Sequence, residues 1–260
     1  FSAYIFKNNG DRKNNFQMNN IDRMVLPEPI NLGREPNALQ MALINATTWG
    51  VKNFIARNPD YAASYNRLLF SPNTLTALNY VRDFIQANPS VSPIVISDFD
   101  GVLKPFPLFS RINPEVKDAF RGLHNSGYPI FFTTNRDPNN KVLFKTGTIQ
   151  RVLNEMGIEP NLNLFSGLDQ QAHRHSILRN QRMAGGLANS LYVEVTKIIN
   201  SGKEPLIFAL MDIKAELGGF FSAWLGLQAP LLEDVLFRRP PFNDELNQIQ
   251  KPQVMHLAIF

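Results

Sequence analysis

Short apolar runs without polar alternation constrain this chain more than any other feature. Pro93-Ile94-Val95-Ile96-Ser97, Ile130-Phe131-Phe132-Thr133 and Pro205-Leu206-Ile207-Phe208-Ala209-Leu210-Met211 are rich in β-branched and aromatic residues, and Leu162 to Phe165 is a weaker fourth run. A strand that is apolar on both sides must be covered on both sides, the condition of a parallel sheet enclosed by helices. Helical patterns fall between the runs, over Pro114 to His124, over 143–156 with Gly157 as the closing residue, and over roughly 169–183, 187–200 and 213–225. Gly185-Gly186 reads as a break between two of these helices, and an apolar edge strand is expected near 231–237. Strands alternating with helices predict an α/β domain over 91–260, with a Rossmann-like parallel sheet sandwiched by helices.

The first third of the chain has a different texture. Residues 1–35 carry Asn-rich runs and then Pro27 and Pro29, which predicts an irregular arm. Residues 36–90 show apolar positions at helical spacing, predicting a helical segment that could fold over a site as a cap. Its elements are a stripe through Leu39, Leu43, Trp49 and Phe54, a helix capped by Asp60 that carries Ala63, Tyr65 and Leu68, and a third starting at Ser71-Pro72. Trp49 and Trp224 lie in apolar stripes and read as core.

Composition excludes several function classes. Cys is absent, which removes disulfides, thiolate metal sites and a Cys nucleophile; a soluble secreted or periplasmic protein would tolerate that absence. No apolar stretch reaches the roughly 18 residues of a membrane span. The net charge of +4 is spread thinly, and no basic stripe points to nucleic acid. No charged-then-apolar leader stands at the start, so any targeting signal is expected to have been removed.

The chemistry is expected at the carboxyl ends of the strands, where such sheets bind ligands. The first run ends in Asp98-Phe99-Asp100-Gly101-Val102-Leu103. Two carboxylates so close repel each other unless a cation or a shared proton lies between them, and all-oxygen ligands suggest Mg²⁺. The second run ends in Thr133-Thr134-Asn135-Arg136, a hydroxyl, an amide and a guanidinium suited to an oxyanion. The run from Pro205 ends in Met211-Asp212, with Glu216 one helical turn further on. Lys197, in the helix before it, offers a cation for phosphate, and Lys203, Lys141 and Lys145 are alternatives.

Each residue also has a plainer reading. Asp-Gly is common in turns, Asp212 could cap the next helix, and Lys197 could be a surface lysine. His173 and His175 do not share a helix face and read as part of a polar, solvent-facing surface.

Taken together, Asp98-Phe99-Asp100-Gly101-Val102-Leu103, Phe132-Thr133-Thr134, Lys197 and Asp212 with Glu216 resemble, in order, the four motifs of the haloacid dehalogenase (HAD) superfamily across about 91–240. The resemblance implies a Mg²⁺-dependent phosphomonoesterase. Asp98 would be the nucleophile that becomes an aspartyl-phosphate, and Asp100 the general acid and base. Thr134 would bond phosphoryl oxygens, with Asn135 and Arg136 beside it on the substrate. Lys197 would neutralise charge. The metal would rest on Asp98, the Asp100 carbonyl, Asp212 and Glu216.

Two features depart from the family pattern: Met211 stands where Gly is usual, and Glu216 where Asp is usual. They motivate one alternative, a catalytically decayed scaffold that acts as an interaction module. A phosphotransferase using the same intermediate is another. Asp98 and Thr134 are separated by 36 residues (134 − 98), and Thr134 and Lys197 by 63 (197 − 134), so no large cap is expected. An open site would admit a phosphorylated small molecule or macromolecule.

Overall fold

The computed structural model describes residues 36–57, 67–104, 112–134, 148–166, 176–213, 232, 235–236, 239–242 and 251–260. Six strands form one sheet: β1 (Arg67–Ser71), β2 (Val91–Asp98), β3 (Ile130–Thr134), β4 (Leu164–Ser166), β5 (Glu204–Asp212) and β6 (Gln253–Ile259). Their order is β1-β6-β5-β2-β3-β4 and every neighbouring pair is parallel. The chain is therefore an α/β protein with a parallel sheet between helices, compatible with a Rossmann-like fold.

The helices are α1 (Ala38–Arg57), α2 (Thr74–Ala87), α3 (Pro114–Asn125), α4 (Ile149–Glu155), α5 (Pro160–Asn163) and α6 (Ser176–Asn200). Local chemistry sets several of their starts. The Asn73 side chain accepts from Thr76 N at 2.9 Å, and that of Asn113 from Glu115 N at 3.0 Å, with Pro114 in the first turn of α3. Thr148 does the same for α4.

Both faces of the sheet are covered. On one face Phe84 of α2 meets Phe208 edge-on at 5.3 Å between ring centres, and Phe120 of α3 meets Phe132 at 5.1 Å. On the other, Leu187, Leu191 and Val195 of α6 pack on Ile94, Ile96 and Ile207. Ile44, Val51 and Phe54 of α1 cover Leu68, Phe70 and Ala258 at the β1–β6 side. Pro93, without an N–H, is tolerated in β2 because it precedes the β3 pairing, which begins at Val95 opposite Ile130.

Several expectations are corrected. Residues 36–90 are not a separate helical layer: Leu68 belongs to β1, an edge strand of the main sheet, and α2 packs in the main core. Asp60, Ala63 and Tyr65 lie outside the described residues, as does the arm 1–35. Near 231–237 the described residues Leu232, Val235 and Leu236 are helical, and the strand that completes the sheet is β6. Gly185-Gly186 does not break a helix; α6 runs through it for 25 residues. A Cβ at Gly186 would come within 3.1 Å of the Phe165 ring, so the glycine permits close packing of α6 on β4. Trp49 is not core but 47% exposed. Trp224 lies outside the described residues.

Candidate active site

From β2 the chain steps outward to β3 and β4 in one direction, while β5, β6 and β1 lie on the other side of β2. The sheet thus has its topological switch beside β2, and a crevice is expected beyond the carboxyl ends there. Register brings the motif residues to one level. Asp98 pairs with Thr133 of β3, one residue short of Thr134, and Ser97 pairs with Leu210 of β5, two residues short of Asp212. Asp98, Thr134 and Asp212 are thus the carboxyl tips of three adjacent strands.

The turn after β2 is held at several points. Phe99 N donates to Thr133 O at 2.9 Å, Gly101 N to Lys104 O at 2.9 Å and Lys104 N to Phe99 O at 3.0 Å. The buried Thr74 hydroxyl, at the start of α2, donates to Val102 O at 2.6 Å. Gly101 sits at φ +83°, in the region that favours glycine. A Cβ there would also collide with the Asp212 carboxylate. This close approach seats Asp212 against the turn that carries Asp98 and Asp100.

The electrostatics are those of crowded acids. The Asp98 carboxyl is pushed up to about 7, first by burial, then by the charge of Asp100 and less by that of Asp212; bonds from the backbone of Asp100 and Phe99 pull the other way. One of these is a long contact from Asp100 N to Asp98 Oδ1 at 3.4 Å. The Thr134 hydroxyl, buried, donates to Asp100 Oδ2 at 3.4 Å, also long and therefore weak.

The fit to a divalent cation is chemical. Asp98 and Asp212 supply hard carboxylate oxygens, the Asp100 carbonyl can supply a third, and a cation would relieve the repulsion that raises Asp98. Among the described residues no three Asp, Glu or His side chains form a metal-holding group.

Lys197 is not brought to this site. Gly186 of α6 lies beside Phe165 of β4, and Lys197 is 11 residues further on (197 − 186), about 16 Å of helix rise toward the amino ends of the strands. There it is exposed and bonds Glu194 at 2.6 Å. Lys203, just before β5, lies at the same wrong edge. The physical reason is that a helix crossing over a parallel sheet runs back from carboxyl to amino ends, so its last turn faces away from the site. Asn135, Arg136, Glu216, Lys141, Lys145, His173 and His175 lie outside the described residues.

Sequence reasoning missed Lys104, which is 4% exposed, and the Thr74 clamp. Lys104 lies four residues past Asp100, where only its place in the turn could have drawn attention. Among the described residues no helix is long and apolar enough to cross a membrane. Comparison with protein-family models, curated proteins and solved structures gives no match to this chain.

Proposed function

We propose that this protein is a phosphomonoester hydrolase of the HAD type, dependent on Mg²⁺. The observation that carries the reading is the seating of Asp212 over Gly101, which gathers it with Asp98 and Asp100 at the switch point of a parallel sheet. Carboxylates crowded in a half-buried place are costly, and such arrangements cluster at binding and catalytic sites.

In the first step an Asp98 carboxylate oxygen attacks phosphorus, and the bond from phosphorus to the ester oxygen breaks. Asp100, protonated, gives its proton to the departing oxygen. In the second step Asp100 takes a proton from water, the water oxygen attacks phosphorus, and the acyl-phosphate bond breaks to return Asp98 and release phosphate. Thr134 turns its hydroxyl from Asp100 to a phosphoryl oxygen. Asn135 and Arg136, the next residues in sequence, are proposed to bind the substrate. Asp98, the Asp100 carbonyl and Asp212, with Glu216, would hold Mg²⁺, whose charge favours ionised Asp98 and offsets that of the phosphoryl group. The substrate class is a phosphorylated small molecule or macromolecule.

The test is turnover of a generic aryl phosphate by the full chain with Mg²⁺, and its loss with EDTA or in Asp98→Asn. The displacement of Lys197, together with Met211, favours one rival, a decayed scaffold that binds without turning over. Phosphate binding with no release of product from any of a panel of phosphorylated metabolites, nucleotides and phosphopeptides would select it. A phosphotransferase would instead pass phosphate to an added alcohol.

A further inference from the structure

Lys104 closes the turn that Asp98 opens, and it is 4% exposed. Its backbone is fixed on both sides, through Phe99 O and Gly101 N, and it forms an isolated parallel bridge with Asp100. Residues paired across a bridge project their side chains to the same side of the ladder. The Asp100 side chain reaches Thr134 at the tip of β3. The backbone therefore sends the Lys104 stem to the side of the turn where Asp100 and Thr134 stand. The Thr74 hydroxyl holds the same turn from behind through Val102 O.

A dianionic phosphoryl group at this edge needs positive charge beyond one metal. The lysine expected from the sequence to supply it lies at the opposite edge of the sheet, bonded to Glu194. We propose that Lys104, in place of Lys197, is the cation that receives the phosphoryl oxygens at this site. The assignment rests on the phosphoryl-transfer reading and names a residue within it. The ligand chemistry is a tetrahedral oxyanion, and the Lys104 ammonium binds it beside the Thr134 hydroxyl.

Tungstate, a tetrahedral oxyanion, is the probe. Its affinity for the full chain with Mg²⁺ is measured by calorimetry for the wild type, Lys104→Met, Lys104→Arg and Lys197→Met, each checked for native circular dichroism. Lys104→Met is expected to weaken tungstate about ten- to hundredfold, the usual loss for a charge-assisted bond. Lys104→Arg should stay within a few-fold of the wild type, and Lys197→Met should match it. A folded Lys104→Met chain that binds tungstate like the wild type overturns the assignment and leaves the phosphoryl reading standing, as does an equal loss in Lys197→Met. No tungstate binding by the wild type overturns both. If Lys104→Met fails to fold, a crystal of the wild type with tungstate and Mg²⁺ decides. Lys104 Nζ within about 3 Å of a tungstate oxygen supports the assignment, and a tungstate met only by other cations overturns it.

Discussion

Two carboxyl groups in this molecule are tuned in opposite directions. Asp98, at the tip of β2, is pushed up to about 7 by burial and by Asp100 and Asp212. Glu155, at the end of α4, is held below the usual range, chiefly by its bond from Lys117 at 2.9 Å, with Arg151 at 3.3 Å adding to it. Glu155 is solvated and met by cations; Asp98 is desolvated and met by anions. The first arrangement is what a protein surface does to a charge by default. The second is unfavourable in the isolated fold, and its persistence marks the carboxyl edge of the sheet as the place where a cation would complete the charge balance.

The contrast can be broken most severely at Asp98. Asp98→Asn keeps the shape and removes the charge of the oxygen that attacks in the proposed mechanism, which requires turnover of a phosphate ester to fall by at least about a thousandfold. Near-normal kinetics in this variant would remove the nucleophile from the mechanism.

The next largest effect is on stability. Because the folded protein holds Asp98 protonated more tightly than the unfolded chain does, folded molecules carry the extra proton between pH about 4 and about 7. Asp98 therefore contributes no penalty below pH 4, and a growing one as pH rises to about 7. In EDTA, unfolding free energy should decline across that window by a few kcal/mol at most. Mg²⁺ should flatten the decline, and Asp98→Asn should abolish it. Denaturation at several pH values, with and without Mg²⁺, reads this directly, and a stability that climbs from pH 4 to 7 in wild type but not in Asp98→Asn would contradict the raised proton affinity.

Gly101→Ala tests the packing that brings the acids together. The new methyl group meets the Asp212 carboxylate and a φ of +83°, so a loss of about 1–3 kcal/mol is expected, with a higher Mg²⁺ requirement. Thermal unfolding and a Mg²⁺ titration of activity check the two halves separately.

Asp212→Ala is milder for the fold. It removes a repelled carboxylate, so stability in EDTA should hold while the Mg²⁺ needed for half-maximal activity rises. Lowered stability with unchanged metal dependence would make Asp212 a helix cap instead, worth about 1 kcal/mol.

Glu155→Gln is the control at the other pole. Its carboxylate is 39% exposed and its ion pairs are screened, so a melting shift equivalent to no more than about 0.5 kcal/mol is expected, with activity unaltered.

Much of the fold was legible because a strand buried on both faces must be apolar at every position. That rule picks out β2, β3 and β5 within a few residues, and with them the strand tips at Asp98, Thr134 and Asp212. β1 and β6 escaped it. Arg67–Ser71 is only 5 residues long and shares apolar positions with a helical pattern, and His256 interrupts the run of β6. Gly185-Gly186 resembles a break in sequence, yet the Phe165 ring makes it a packing site.

Sequence by itself determined that this chain builds a helix-covered parallel sheet with acids at its strand tips, since hydrophobic periodicity and turn chemistry are local properties. Only the tertiary structure decided which charges meet. The direction in which α6 crosses the sheet carries Lys197 to the amino edge, and the turn after β2 buries Lys104 and pairs its backbone with that of Asp100. Electrostatic partnership depends on distance through space and on desolvation, and neither is set by spacing along the chain.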